Sequence, residues 1–291
     1  MNIPKPYVIY LYTGSSAKTL NVDELADYLR IWLPKCCISV RPNITDYYFH
    51  QLPSEQTGFE LDKLAQQIAS CRVRNLMEPW TPIEPMYGEI AYEKRRLQGK
   101  SKAVGVLYDG PGLSAVFFRL IEDSEKSQNF CHIVLTDQLF GTWDENDRRY
   151  HARVGVFAQP SIISTTGLVE APAKPKDFYI LKQQSQILGQ NNLAVAKLKE
   201  QFRGRFIDYD DERLTEVMKG YVMQAVFYHL TGEPFCPEPT CRLYNAHWQE
   251  EVIHAQLGNK AEFCAKHSRI LEVLETEFLE KNSVSDNLIY T

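Results

Sequence analysis

The run HLTGEPFCPEPTC at residues 229–241, followed by FCAKH at residues 263–267, decides how this chain is read. Cys236 and Cys241 are separated by four residues that include two prolines, a stiff turn able to aim two thiolates at one point, and the spacing falls within the range of structural zinc sites. Twenty-two residues beyond Cys241 the run FCAKH begins, where Cys264 and His267 stand three apart, so this second pair shares a helical face or turn. Cys236, Cys241, Cys264 and His267 therefore make a set of three thiolates and one imidazole for one zinc ion per chain. His247, six residues after Cys241, competes with His267 for the fourth position. Four protein ligands leave no coordination position for water, so such a site holds structure and does not activate a nucleophile. It supplies on the order of 10 kcal/mol of folding free energy, as much as a whole domain's usual net stability.

The segment before the cysteines is helical in pattern from Asp210 onward. Leu214, Val217, Met218, Tyr221, Val222, Ala225 and His229 recur at i, i+3, i+4 and i+7. Asp210 is placed to cap the start, and Gly232 and Pro234 close the end, so the helix runs directly into the cysteine cluster.

Further upstream, short β-rich runs alternate with helical ones. Strands are expected at Tyr7 to Tyr12, Cys37 to Arg41, Ala103 to Tyr108, Cys131 to Thr136, Arg153 to Phe157 and Ser161 to Thr166. Helices are expected at Asp23 to Leu33, Glu60 to Arg72 and Leu113 to Glu122. This alternation signals an α/β layer architecture. The last two strands lie too close in sequence for a crossover, which makes the sheet mixed. Pro53 to Gly58, Glu78 to Pro85 and Ala171 to Pro175 read as loops. So does the polar stretch at residues 136–151, with Asp137, Asp144, Glu145, Asp147, Arg148 and Arg149. The chain, residues 1–291, is expected to form one α/β domain with residues 232–270 as an embedded zinc module.

An apolar fraction of 44% supports a sizeable core, and a formal charge of -5 argues against phosphate backbones as partners. No run of about 18 apolar residues is present to span a membrane. The start, MNIPKPYVIYLYTGSS, lacks the pattern of a signal peptide and reads as a first strand, so the expected address is cytoplasmic. Of the seven cysteines, Cys36, Cys37, Cys71 and Cys131 read as ordinary reduced thiols.

The two cysteine-containing runs together resemble the archaemetzincin-type metallopeptidases, whose pattern is HExxHxxGxxHC, four residues, C, and later CxxC. The resemblance is specific over residues 225–270, with SIISTTGLVEAP at residues 161–172 similar to the strand beside the active-site cleft. It implies a zincin-like mixed sheet with flanking helices and a C-terminal zinc knuckle. By register His229 matches the second histidine, Gly232 the turn glycine, Cys236, Cys241 and Cys264 three structural ligands, and His267 stands in place of a fourth cysteine. The departures fall on the chemistry: Ala225 replaces the first histidine, Val226 the general base, Phe235 the third histidine, and Leu243 the methionine of the turn. A zincin needs three protein ligands and a carboxylate to deprotonate bound water. Peptide hydrolysis by the family mechanism is therefore expected to be lost, with His229 a hydrogen-bonded core histidine.

Rival candidates remain. His247, Glu251 (or Glu250) and His254 share one helix face and could hold a second metal, although Asn245 and Gly258 would also frame an ordinary capped surface helix. Glu89 and Glu93 could serve a site but read better as helix-surface pairs. The glycines of DGPGL, residues 109–113, could approach a phosphate without the lysine of a P-loop. Three functions stay open: a non-catalytic protein binding a peptide or protein in a retained cleft beside Phe235 and residues 161–166, a metal-dependent hydrolase with a relocated site at His247, Glu251 and His254, and a zinc-stabilised interaction protein.

Overall fold

The computed structural model describes residues 7–101, 105–187, 198, 200–258 and 262–274 of the 291. In chain order its elements are β1 (Val8–Gly14), α1 (Val22–Trp32), β2 (Cys37–Pro42), α2 (Ile44–Gln51), α3 (Ser54–Ser70), α4 (Tyr87–Leu97), β3 (Leu107–Asp109), α5 (Gly110–Phe118), β4 (Phe130–Thr136), β5 (Leu139–Asp144), β6 (Arg149–Arg153), β7 (Gly155–Val156), β8 (Ser161–Ser164), α6 (Thr165–Glu170), α7 (Lys176–Ile187), α8 (Leu214–Thr231) and α9 (Gln249–Leu257). Residues 265–274 form a further helix, α10.

The larger sheet has the order β2-β1-β4-β8-β7. β2, β1, β4 and β8 run parallel, and β7 joins antiparallel. Side chains alternate between faces along each strand. Ile9, Leu11, Cys131, Ile133, Leu135 and Ile163 enter one core with α1 and α8, while Tyr12, Val134 and Ile162 enter the other with α3 and α5. Helices therefore cover both faces, as a parallel sheet requires. The first core continues through Cys236, Cys241, Leu243 and Phe263, so the sheet and the cysteine module share one apolar interior.

A second sheet, β3-β5-β6, corrects the reading of residues 136–151 as a solvated loop. β5 and β6 form an antiparallel hairpin with Trp143 opposite Tyr150. Phe140 and Tyr150 are buried and anchor it, and its charges gather at the turn, where Arg148 takes φ 50°. The strand expected at Ala103 to Tyr108 is short, beginning at Leu107, and residues 102–104 lie outside the described residues. α3 starts at Ser54, inside the expected loop at Pro53 to Gly58, because a proline is tolerated at a helix start.

α8 is buried on nearly every side from Leu214 to Phe227, since the sheet, α1 and α9 all pack against it. Asp210 is not its cap: Arg213 occupies that position, and Asp210, at φ 54°, accepts a hydrogen bond from the Lys18 backbone N–H at 3.0 Å. Gly232 closes the helix at φ 79°, a conformation that suits glycine.

Candidate metal centre and adjoining groove

α8 ends at Gly232, and the chain turns back through the knuckle of residues 236–244. The Cys236 N–H donates to the Leu243 carbonyl at 2.8 Å and the Tyr244 N–H to the Cys241 carbonyl at 2.9 Å. The Glu238 N–H donates to the Cys236 sulfur at 3.4 Å. Cys264 immediately precedes α10 and His267 lies in its first turn. The four ligand atoms all lie within 4.8 Å of one another. Cys236 Sγ is 3.8 Å from Cys264 Sγ, and Cys241 Sγ is 3.7 Å from His267 Nδ1. A tetrahedral zinc with ordinary bond lengths requires separations of about 3.8 Å between sulfurs and about 3.6 Å from sulfur to nitrogen. Those two separations match, while Cys264 Sγ and His267 Nδ1, at 3.1 Å, stand closer and would spread around an ion; as a donor set the four residues fit a zinc site.

Burial pushes the Cys236 thiol up to about 12. Burial acts the same way on Cys264, but N–H groups of His267 and Lys266 donate to its sulfur, and with its cysteine neighbours they bring it below the ordinary thiol value. Burial lowers His267, which favours the neutral imidazole that ligates metal. The Phe227 ring meets the His267 ring edge-on at 5.2 Å and holds its orientation.

Arg242, next to Cys241 and buried, braces the module. Its guanidinium pairs with Glu216 of α8 and with Glu262 just before Cys264. It also donates to the Glu216 carbonyl at 3.0 Å, while the Tyr28 hydroxyl donates to Glu262 at 2.8 Å.

A cavity of about 740 Å³ opens beside the knuckle, lined by β6, by Phe157 and Phe235, by Tyr221 and Gln224 of α8, and by residues 244–248. Phe235 packs edge-on against Phe157 at 5.5 Å. Residues 161–166 do not line it: β8 lies between β4 and β7, and Gly155 of β7 borders the cavity instead. Ala225 and Val226 are fully buried and absent from the lining. Val226 faces the apolar space between Tyr7, Trp32 and Leu271. His229 Nε2 donates to the Gln128 carbonyl at 2.9 Å, its ring against Tyr7 at 5.2 Å, and burial lowers its pKa.

A model of a probable metallopeptidase family matches residues 5–274. The chain belongs to that family. A crystal structure of archaemetzincin from Methanopyrus kandleri is similar to this metallopeptidase-family chain at a TM-score of 0.43 and 11% identity, over 94% of this chain and 99% of that one. A comparison with curated proteins gives no match.

The other candidate residues resolve differently. Cys236, Cys241, Cys264 and His267 are the group of metal-ligand side chains that converges among the described residues, and His247, Glu251 and His254 are not drawn into such a group. Glu251 is turned to its own helix start, accepting from the N–H groups of His247 at 2.8 Å and Trp248 at 3.0 Å. The cap of α9 is thus Trp248, not Asn245. Glu93 is no surface pair: fully buried, it accepts from Arg72 at 2.7 Å, Arg96 at 2.9 Å and the Tyr108 hydroxyl at 2.8 Å. At DGPGL the anion place at the helix start is taken by Asp109, which accepts from the Gly112 N–H at 2.7 Å. Sequence reasoning missed the cationic edge of the cavity, although Arg149, His151 and Arg153 stand at alternate positions, the signature of one strand face. No helix among the described residues is long and apolar enough to cross a membrane.

Proposed function

We propose that this member of the metallopeptidase family binds a peptide in the groove beside Phe235 without cleaving it, around one structural zinc per chain held by Cys236, Cys241, Cys264 and His267. One observation carries the reading: the face of α8 that borders the groove offers Tyr221 and Gln224, while Ala225 and Val226 are apolar and turned into the core. Phe235 contributes a ring where the resemblance calls for a ligand, and the sole imidazole in that register, His229, is bound to a backbone carbonyl. Peptide recognition suits a groove with aromatic walls next to the short terminal strand β7. Three cysteine ligands fit a reducing compartment such as the cytoplasm.

The test combines zinc analysis with a peptidase assay on fluorogenic peptides of mixed sequence, with and without added zinc. One zinc per chain and no turnover above buffer is the expected result. Two zincs with turnover that disappears in His247→Ala would replace this reading with a relocated hydrolase.

A further inference from the structure

We propose that the groove selects an acidic extended peptide, with carboxylates that meet Arg149 and Arg153 and an apolar side chain that meets Phe235; this rests on the reading of the cavity as a peptide groove. Arg149, His151 and Arg153 occupy alternate positions of β6 and all line the cavity. Against two guanidinium groups the lining offers one carboxylate, Asp144. Asp144 is already engaged, accepting from the N–H groups of Asn146 at 2.9 Å and Asp147 at 3.1 Å in the hairpin turn.

Neither arginine is saturated. Arg153 donates through Nε to the Thr142 hydroxyl at 2.9 Å and forms no ion pair among the described residues. Among the described residues Arg149 pairs only with Asp147, at a loose 3.5 Å, and Asp147 also meets His151 Nε2 at 2.9 Å. A guanidinium has five N–H donors in a fixed fork, so each retains the capacity for a bidentate carboxylate. The hairpin as a whole is balanced, with Asp144, Glu145 and Asp147 against Arg148, Arg149 and Arg153, so the excess of guanidinium over carboxylate belongs to the side of it that lines the cavity.

The lining also carries the aromatic rings of Phe157, Phe235, Tyr244 and Trp248. Lys176 adds a further cation near it, its Nζ 5.8 Å from the Trp248 ring centre. Gln224 lines the cavity too, almost fully buried, and its Oε1 has no hydrogen-bond partner while its Nε2 donates to the Tyr244 carbonyl at 3.2 Å. A buried acceptor without a donor is costly, and the N–H of a peptide backbone would satisfy it. The alternate spacing on β6 matches the alternate spacing of side chains on an extended ligand.

The experiment measures fluorescence polarisation of three capped peptides against the zinc-loaded full chain. Each has leucines and one phenylalanine, alternating with glutamate in the first, glutamine in the second and lysine in the third. The expected result is that the glutamate peptide binds at least about tenfold more tightly than the glutamine peptide, as charge-assisted bonds predict. That preference should shrink with added salt, collapse in Arg153→Gln with Arg149→Gln, and persist in Arg153→Lys, with circular dichroism and zinc content unchanged. Equal binding of the glutamate and glutamine peptides, lost on Phe235→Ala, would overturn the charge selection and leave the groove reading standing. Binding of none of the three would overturn the groove reading itself.

Discussion

Cys264 Sγ and His267 Nδ1 lie 3.1 Å apart across the first turn of α10, so one short stretch of helix presents both a thiolate and an imidazole to the same point. Cys236 and Cys241 meet them from the knuckle. Cys264→Ser is expected to abolish zinc in the purified protein by elemental analysis. A contribution on the order of 10 kcal/mol is then removed, and the thermal transition of the C-terminal module should disappear. Retention of one zinc per chain in this variant would refute the ligand set.

Arg242 joins three parts of the chain, pairing with Glu216 and Glu262 beside the ring of Tyr28. Truncation to alanine takes the guanidinium from two part-exposed carboxylates, which keep Lys219 and the Tyr28 hydroxyl as partners, and is expected to cost about 2 kcal/mol, read as a lower urea midpoint with zinc stoichiometry unchanged. Arg242→Lys should recover only part of the loss, because an ammonium cannot fork between two acids.

His132 sets a pH dependence. Its Nε2 donates to the Glu125 carbonyl at 2.9 Å and its Nδ1 accepts from the Tyr12 hydroxyl at 3.0 Å, which fixes a neutral ring. Burial holds its pKa below the ordinary value of 6.5. The unfolded chain then takes up this proton at a higher pH than the folded one. Stability is complete above about pH 6.5 and is lost as pH falls below it toward the folded value. His229 contributes in the same direction. Urea midpoints between about pH 7.5 and 5.5 should decline in the parent and decline less steeply in His132→Gln. An unchanged slope would assign the dependence elsewhere.

Glu93 carries one buried negative charge against two arginines, tying α4 to Arg72 at the end of α3 and to Tyr108 on β3. Glu93→Gln removes the charge while keeping the volume, and is expected to cost about 3 kcal/mol. Circular dichroism melts compare it with Glu89→Gln, whose pair with Arg74 is more open to solvent and should cost under about 1 kcal/mol.

The central strands and the clustering of Cys236, Cys241, Cys264 and His267 were legible from the sequence because each rests on a local rule. Alternation places Ile9 and Leu11 on one face and Tyr12 on the other, and a rigid Pro-rich turn brings Cys236 toward Cys241. The β5–β6 hairpin was hidden because charge count masks the pairing of Trp143 with Tyr150. Glu93 looked solvated for the same reason: its partners Arg72 and Tyr108 are distant in sequence, and helical spacing shows only Arg96. The groove draws on β6, α8 and the knuckle together, and no local pattern encodes that meeting.

The knuckle also bears on the helix it encloses. α9 has nine residues, too few to persist alone in water, where isolated helices below about 12–15 residues are marginal. Its flanks are Cys241 on one side and Cys264 on the other, so an ion shared by the two would close the intervening chain into a ring. By the polymer estimate for a cross-link of that span, closure removes roughly 3 kcal/mol of disorder from the unfolded chain. With the ion bound, α9 would be stabilised through the freedom its tethered ends give up, more than through any preference of its own residues for helix.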